Sequence, residues 1–250
     1  MTRVELVCVS RDPEMYSRCI AENPYAANCS KRVFDNSVEN LPITVRYNSC
    51  LDSLLAGSDC WIVLCHEDWM PLCDLPARLS GLDKGFLYGP IGAVLEPGRL
   101  MDYMFVRGRV FQSRKDGSSP GPIQGEVVEG PVDTFDCQCL IFHSSLLEGR
   151  RLRFDENLGF DMYVEDFCAQ ARERFGIESR TIDLPCRHLS YGSTRGSFRE
   201  SLSYMKKKYS CCARRYPTIV GHRKSFGGSS SRHILKVSSP LSKLIYRLAG

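Results

Sequence analysis

The residues of this chain that most plainly offer chemistry stand at the end of an apolar run. Trp61-Ile62-Val63-Leu64-Cys65 is followed at once by His66-Glu67-Asp68-Trp69. A buried strand that opens into an imidazole and two carboxylates presents ligand groups at its carboxyl end, the edge where open α/β sheets bind their ligands. Acids crowded at one strand end repel each other unless a cation or hydrogen-bond donors sit among them, which points to a divalent metal. The competing reading is that the same residues simply begin a solvated loop. Trp69 either stacks on a bound ring or covers the core.

The thirteen cysteines do not read as a second centre. Their number is odd, no Cys-x-x-Cys pair occurs, and Cys137-x-Cys139 and Cys211-Cys212 lack zinc-finger spacing. Cys8 and Cys65 lie inside apolar runs, where a thiol behaves as a small hydrophobe. The expectation is reduced thiols in a reducing compartment. The first residues carry no long apolar stretch and no small-residue cleavage site, so no secretory signal is expected, and no run is long enough to cross a membrane.

The elements that must hold these groups follow from periodicity. Val4–Ser10 is a mostly apolar run of the kind a buried parallel strand shows. A short helix is expected over 14–22, a second strand over 31–34, a helix over 48–56 and a third strand over 60–65. That alternation argues for an α/β sheet with right-handed crossovers. Further on, residues 85–94 read as a strand whose glycines admit a close neighbour. Residues 107–130 read as a mobile loop or hairpin with edge strands at 108–112 and 123–128. Strands are expected at 132–142 and 179–184, and helices at 162–175 and 198–209. A Gly/Ser linker at 226–231 precedes a basic amphipathic segment at 233–248, which Pro240 interrupts.

The motifs, taken in order, are similar to those of a known family. Asp35-Asn36-Ser37 closes the second strand, Arg46-x-Asn48 opens a helix, and His66-Glu67-Asp68 ends the third strand. Val132-Asp133-Thr134-Phe135-Asp136-Cys137-Gln138-Cys139-Leu140, Phe154-Asp155-Glu156 and Glu165-Asp166 follow, then His188 with Gly192-Ser193. This order resembles the inverting GT-A glycosyltransferases of the large family 2 type, within them a subgroup with His-x-Asp in place of Asp-x-Asp. The resemblance spans residues 4–209. It implies a Rossmann-like nucleotide-diphospho-sugar transferase fold: a mixed, mostly parallel sheet flanked by helices, with a catalytic domain at 1–209. A basic, partly flexible extension would follow at 210–250.

The resemblance also implies roles. Asp68, with His66 and His188, would hold a divalent metal, Mn2+ or Mg2+, that bridges the diphosphate of the donor; His188 as a structural histidine is the alternative. Ser10, Asp35, Arg46, Glu67, Asp136 and Lys207 would bind the nucleotide-sugar, although Asp35 also suits a plain turn and Arg46 a plain surface site. Asp166 would be the general base that takes the acceptor hydroxyl's proton, with Glu165 raising its pKa. Alternatively the two acids begin an exposed helical face. The Gln/Arg-x-x-Arg-Trp sequence of processive members is missing, so one linkage rather than a polymer is expected. The activity implied is metal-dependent hexosyl transfer with inversion from a UDP- or GDP-sugar to a glycan or lipid-linked acceptor. The competing class is a non-catalytic binder of nucleotide-sugar or membrane surface.

Charge is divided along the chain. The net is +4, but residues 199–250 hold 12 Lys+Arg and one acid, whereas residues 1–198 hold 21 and 28. A basic end suits phosphates or an anionic membrane. Its lysines and tyrosines also have the flavour of nucleic-acid tracking, but no nucleic-acid motif accompanies them, and no nucleic-acid partner is expected. The location expected is cytoplasmic, with peripheral contact at the inner face of a membrane through the C-terminal segment.

Overall fold

The structure, a computed structural model, describes residues 2–54, 59–116, 120–124, 129–149, 152–190, 196–220, 224–228 and 232–249. It is a mixed α/β protein built on a seven-stranded sheet flanked by helices. The strand order is Gly130–Val132, Ser179–Thr181, Leu87–Gly89, Cys139–His143, Trp61–His66, Val4–Ser10, Ser30–Asp35. Val4–Ser10 pairs in parallel with both Ser30–Asp35 and Trp61–His66. Because the chain leaves Val4–Ser10 for one neighbour and then returns to its other side, the strand order reverses beside it. Cys139–His143 runs antiparallel to Trp61–His66 and to Leu87–Gly89, so the sheet is truly mixed: three of its six pairings are parallel.

Every residue of Val4–Ser10 and of Trp61–His66 is buried, because both faces of the sheet are covered. Period-2 alternation sends Val7, Val9, Ile62 and Leu64 into one core with the helices Ile43–Leu54 and Tyr163–Phe175. Leu6, Cys8, Val63 and Cys65 face the other, with Met15, Ile20, Leu75 and Leu79. All thirteen cysteines are free thiols, and most are buried as small core residues.

Three expected elements take a different form. Residues 132–142 are not one strand. Thr134–Phe135 leaves the main sheet to pair with Ile91–Pro97 in a second, four-stranded sheet, and Cys139–His143 re-enters it. The break is polar: Asp133 is buried and accepts from Leu95 N and from Arg214, while Asp136 accepts from Gln138 Nε2 at 2.9 Å. Residues 85–94 likewise split into Leu87–Gly89 and Ile91–Pro97 around Pro90, which has no N–H to give a ladder. The close neighbour of its glycines is the protein itself, since a Cβ on Gly89 would stand 2.7 Å from the Phe135 ring. Finally, Pro240 begins the helix Pro240–Ala249 and does not interrupt one, the first helical position being where its missing N–H is harmless.

The stretch expected as an extension is packed on the body wherever it is described. Tyr216 and Phe226 are fully buried in the first core and stack at 5.3 Å. Ile234–Lys236 adds a parallel strand to Asp102–Gly108. Arg214 and Arg215 pair with the buried Asp133 and Asp102. A third sheet joins Trp69–Pro71, Cys186–His188, Val110–Ser113 and Pro120–Gln124. The last two of its strands are the hairpin foreseen within 107–130, and residues 125–128 of that segment lie outside those described.

Candidate metal centre and cleft

Two sheets assemble the centre. The third strand of the main sheet ends at His66, and two residues later Trp69–Pro71 enters the third sheet, antiparallel to Cys186–His188. His188 lies opposite Trp69, and Leu189 N donates to Asp68 O at 2.9 Å. Side chains 120 residues apart in sequence are thereby brought together. His66, Asp68 and His188 each offer a ligand atom, and these atoms lie within 4.8 Å of one another. Both histidines are buried and Asp68 is largely so.

His66 is set to offer a lone pair, whereas Asp68 and His188 pair with each other, a contact that a cation would replace. His66 Nε2 lies 2.9 Å from Tyr163 Oη, which donates onward to Cys137 O at 2.8 Å, so Nε2 carries the ring proton and Nδ1 the free lone pair. Burial lowers the pKa of His66 and keeps that ring neutral. The exposed ring of Phe160 stacks on it at 5.2 Å. His188 Nε2 lies 3.3 Å from Asp68 Oδ1 without aligned hydrogen-bond geometry, and Asp68 Oδ1 and His188 Nδ1 are both buried with no hydrogen-bond partner. Burial alone would raise Asp68; contact with His188, then the charges of both histidines, prevails and holds it at about 2. His188 shows the reverse contest: burial lowers it, and Asp68 more than compensates. Orphaned buried polar atoms on two of three converging ligands are what a metal would satisfy, and the residues present fit one. Two imidazoles and one carboxylate are a donor set for Mn2+, Fe2+ or Zn2+ more than for Mg2+, which prefers oxygen alone.

The centre stands on the wall of a cleft of about 450 Å3, to which Arg11, Asn36, His66, Glu67, Asp68, Phe160 and Ser197 contribute. The cleft opens at the carboxyl ends of Val4–Ser10 and Trp61–His66, where the strand order reverses. Glu67 shapes its floor: Oε2 accepts from Ser10 Oγ at 2.8 Å, Arg11 N at 2.6 Å and Asp12 N at 2.8 Å, which folds the turn after the first strand. Asn36 shapes the opposite rim by bonding both the N–H and C=O of Leu41.

The remaining expected site residues are dispersed. Asp35 is exposed and accepts from Ser37 N and Oγ, the bonds of a turn, and it is not on the cleft wall. Arg46 pairs with Glu39, and Asn48 staples Phe154 by two bonds. Lys207 is exposed on the last turn of the helix Gly196–Lys208. Its neighbour Lys208 is the inward lysine, 2.6 Å from Asp155 and 2.7 Å from Asp166. Trp69 is in the core. Gly192 and Ser193 lie outside the described residues.

Glu165 and Asp166 are both buried but meet different surroundings. Asp166 has no exposed surface and is saturated by Lys208 Nζ, Tyr209 Oη at 2.8 Å and Gln170 Nε2 at 2.6 Å. Burial raises its pKa and the lysine opposes this. Glu165 is equally buried, but its Oε2 has no partner, and burial, assisted by the charges of Asp136, Asp161 and Asp166, carries its pKa to about 8. The Asp136 charge acts on Glu165 and also on His66 and His188. Asp136 and Glu165 thus belong to the electrostatic neighbourhood of the centre without lining the cleft.

Tyr163 and Phe160 escaped sequence reasoning, and Asn36 entered it only as part of a turn motif. Tyr163 follows Met162, whose left-handed φ of 63° turns the chain into the helix, and nothing in the spacing of either residue signals that geometry.

No protein-family model and no curated protein matches the chain. Among solved structures it is similar to A197 from STIV, at 13% identity over 96% of this chain and 100% of that one, with a TM-score of 0.42.

Proposed function

We propose that the protein is a metal-dependent glycosyltransferase that moves a sugar, with inversion, from a nucleotide-diphospho-sugar to an acceptor hydroxyl. The observation that carries this is the His66–Asp68–His188 group, two of whose members, His66 and Asp68, line a nucleotide-sized cleft at the carboxyl ends of parallel strands where the order reverses. The fold, described only as mixed α/β above, would then be of the GT-A type. His66, Asp68 and His188 would hold the metal, which when bound supplies Lewis-acid stabilisation of the departing diphosphate. Ser10, Arg11, Asn36 and Glu67 would shape the nucleotide side. Arg11 would meet phosphate in place of Lys207, since it lies on the cleft wall. The proton acceptor would remain Asp166, held by Lys208, Tyr209 and Gln170, because Glu165, with a pKa of about 8, keeps its proton at neutral pH. A UDP- or GDP-sugar donor and a glycan or lipid-linked acceptor remain the proposed substrates.

A second reading has one observation in its favour. The saturation of Asp166 would disable the base that the resemblance implied, as in a binder that holds a nucleotide-sugar without turnover. Both readings need the metal and cleft; turnover separates them.

Thermal shift with UDP, GDP, CDP and dTDP, each with and without Mn2+, is the test. Saturation near 100 times Kd stabilises by about 2.7 kcal/mol, a rise of roughly 5–10 °C for a chain of this size. The expected outcome is a rise with one nucleotide that needs Mn2+, is smaller with Mg2+ and vanishes in Asp68→Ala. Absence of a shift with all four nucleotides would overturn both readings.

A further inference from the structure

The helix Pro240–Ala249 has three distinct edges, one of which docks it on the body. At 3.6 residues per turn Ser242 and Tyr246 share the docking edge. Tyr246 lies edge-on to Tyr103 at 5.0 Å and to Phe105 at 4.9 Å, and donates to Glu96 Oε2 at 2.8 Å. Ser242 is buried and accepts from Ser238 N and Ser239 N, which closes the helix start. Leu241, Leu244 and Leu248 form a second edge that points away from the body, 68%, 51% and 79% exposed. Lys243 and Arg247, both exposed, form the third, beside Leu244.

We infer that this helix is a docking surface for an anionic lipid bilayer, lying in its plane with the leucine edge in the headgroup boundary. Tyr246 seats the helix on the second sheet with the leucine edge turned outward. At ten residues it is too short to span, and no helix among the described residues is long and apolar enough to do so. A short helix with one apolar and one basic edge, set on a globular body, fits the interface between water and lipid. Charge selects the lipid: the helix itself carries Lys243 and Arg247, both exposed beside the leucine edge, and no Asp or Glu. A second copy of the same edge would bring Lys243 and Arg247 against their own kind, so self-association through this face is opposed.

The test uses the full chain and vesicles of phosphatidylcholine with and without phosphatidylserine. Co-sedimentation is expected only with phosphatidylserine and is expected to weaken as salt is raised. Lys243→Glu with Arg247→Glu should lower binding by about 30-fold or more, since each basic residue near an anionic surface contributes roughly fivefold. Leu244→Ser with Leu248→Ser should lower it by at least about tenfold, through lost apolar burial. Both variants are compared with wild type only at temperatures below the melting transition of each, measured by circular dichroism, so that lost binding is read on folded protein. Binding unchanged in both variants, or no binding by the wild type, overturns the inference. So does a concentration-dependent dimer, seen by sedimentation velocity, that the leucine variant abolishes, because a second copy would then cover the edge.

Discussion

Two adjacent carboxylates on one helix have opposite fates, and the partners each meets explain why. Glu165→Gln removes a group whose charged form is disfavoured by burial. Its folded pKa of about 8 lies above the ordinary value of 4.5, so the native carboxyl keeps its proton where the unfolded chain has released it. Its stabilising contribution is therefore complete below about pH 4.5 and is lost as pH rises through 8. Glu165→Gln should melt at least as high as wild type, with a gain that widens from pH 5 to pH 8. Asp166→Asn should instead lower the melting temperature, because it weakens three buried bonds. Melting curves and initial rates across pH on both variants check the pair; a stable Asp166→Asn with wild-type turnover would remove Asp166 as the base. Tyr163→Phe probes the support of the metal ligand. Without the hydroxyl, His66 loses the group that sets its tautomer, and Mn2+ affinity by calorimetry should drop about 10–100-fold.

At the scale of elements, the helix Gly196–Lys208 is tied to the helix Tyr163–Phe175 and to the loop before it by one cation. Lys208 Nζ meets Asp155 and Asp166 together, and Tyr204 and Tyr209 complete the cluster. Asp155 is drawn down to about 2: burial would raise it, and the bonds from Lys208, Tyr204 and Asn157 outweigh that. Lys208→Met leaves two inward carboxylates without their cation, a loss of about 3–5 kcal/mol in urea unfolding. Adding Asp166→Asn to it should recover part of the loss. Periodicity located this helix and the helix after Met162 well, since each has an apolar stripe. It failed at 132–142, where apolar residues continue across a change of sheet and only buried Asp133 and Asp136 mark the corner. It failed again at Pro240, whose effect depends on position in the helix and not on its presence.

For the whole molecule, the acidic body and the basic end form one packed unit. Tyr216 and Phe226 complete the first core, and strand Ile234–Lys236 extends the second sheet. Deleting residues 211–250 would remove two buried aromatics worth about 3–5 kcal/mol each, against a total of about 5–15 kcal/mol for a typical domain. The shortened chain should lose its cooperative melting transition by circular dichroism; an unchanged transition would make the segment a dispensable appendage. By itself the sequence determined the alternating α/β start, the burial of the first and third strands, and the candidacy of His66 and Asp68, because apolar runs and abrupt polar ends are local signals; His188 entered only through the resemblance. Whether a distant histidine reaches the strand end was decided by the tertiary structure alone, through the antiparallel pairing of Trp69–Pro71 with Cys186–His188. The same holds for which acid is free and which is spent, for the lysine that turns inward, and for the tyrosine behind His66. Those outcomes depend on partners supplied by other segments, and a one-dimensional pattern carries residue types but not the neighbours that set burial, hydrogen bonding and charge.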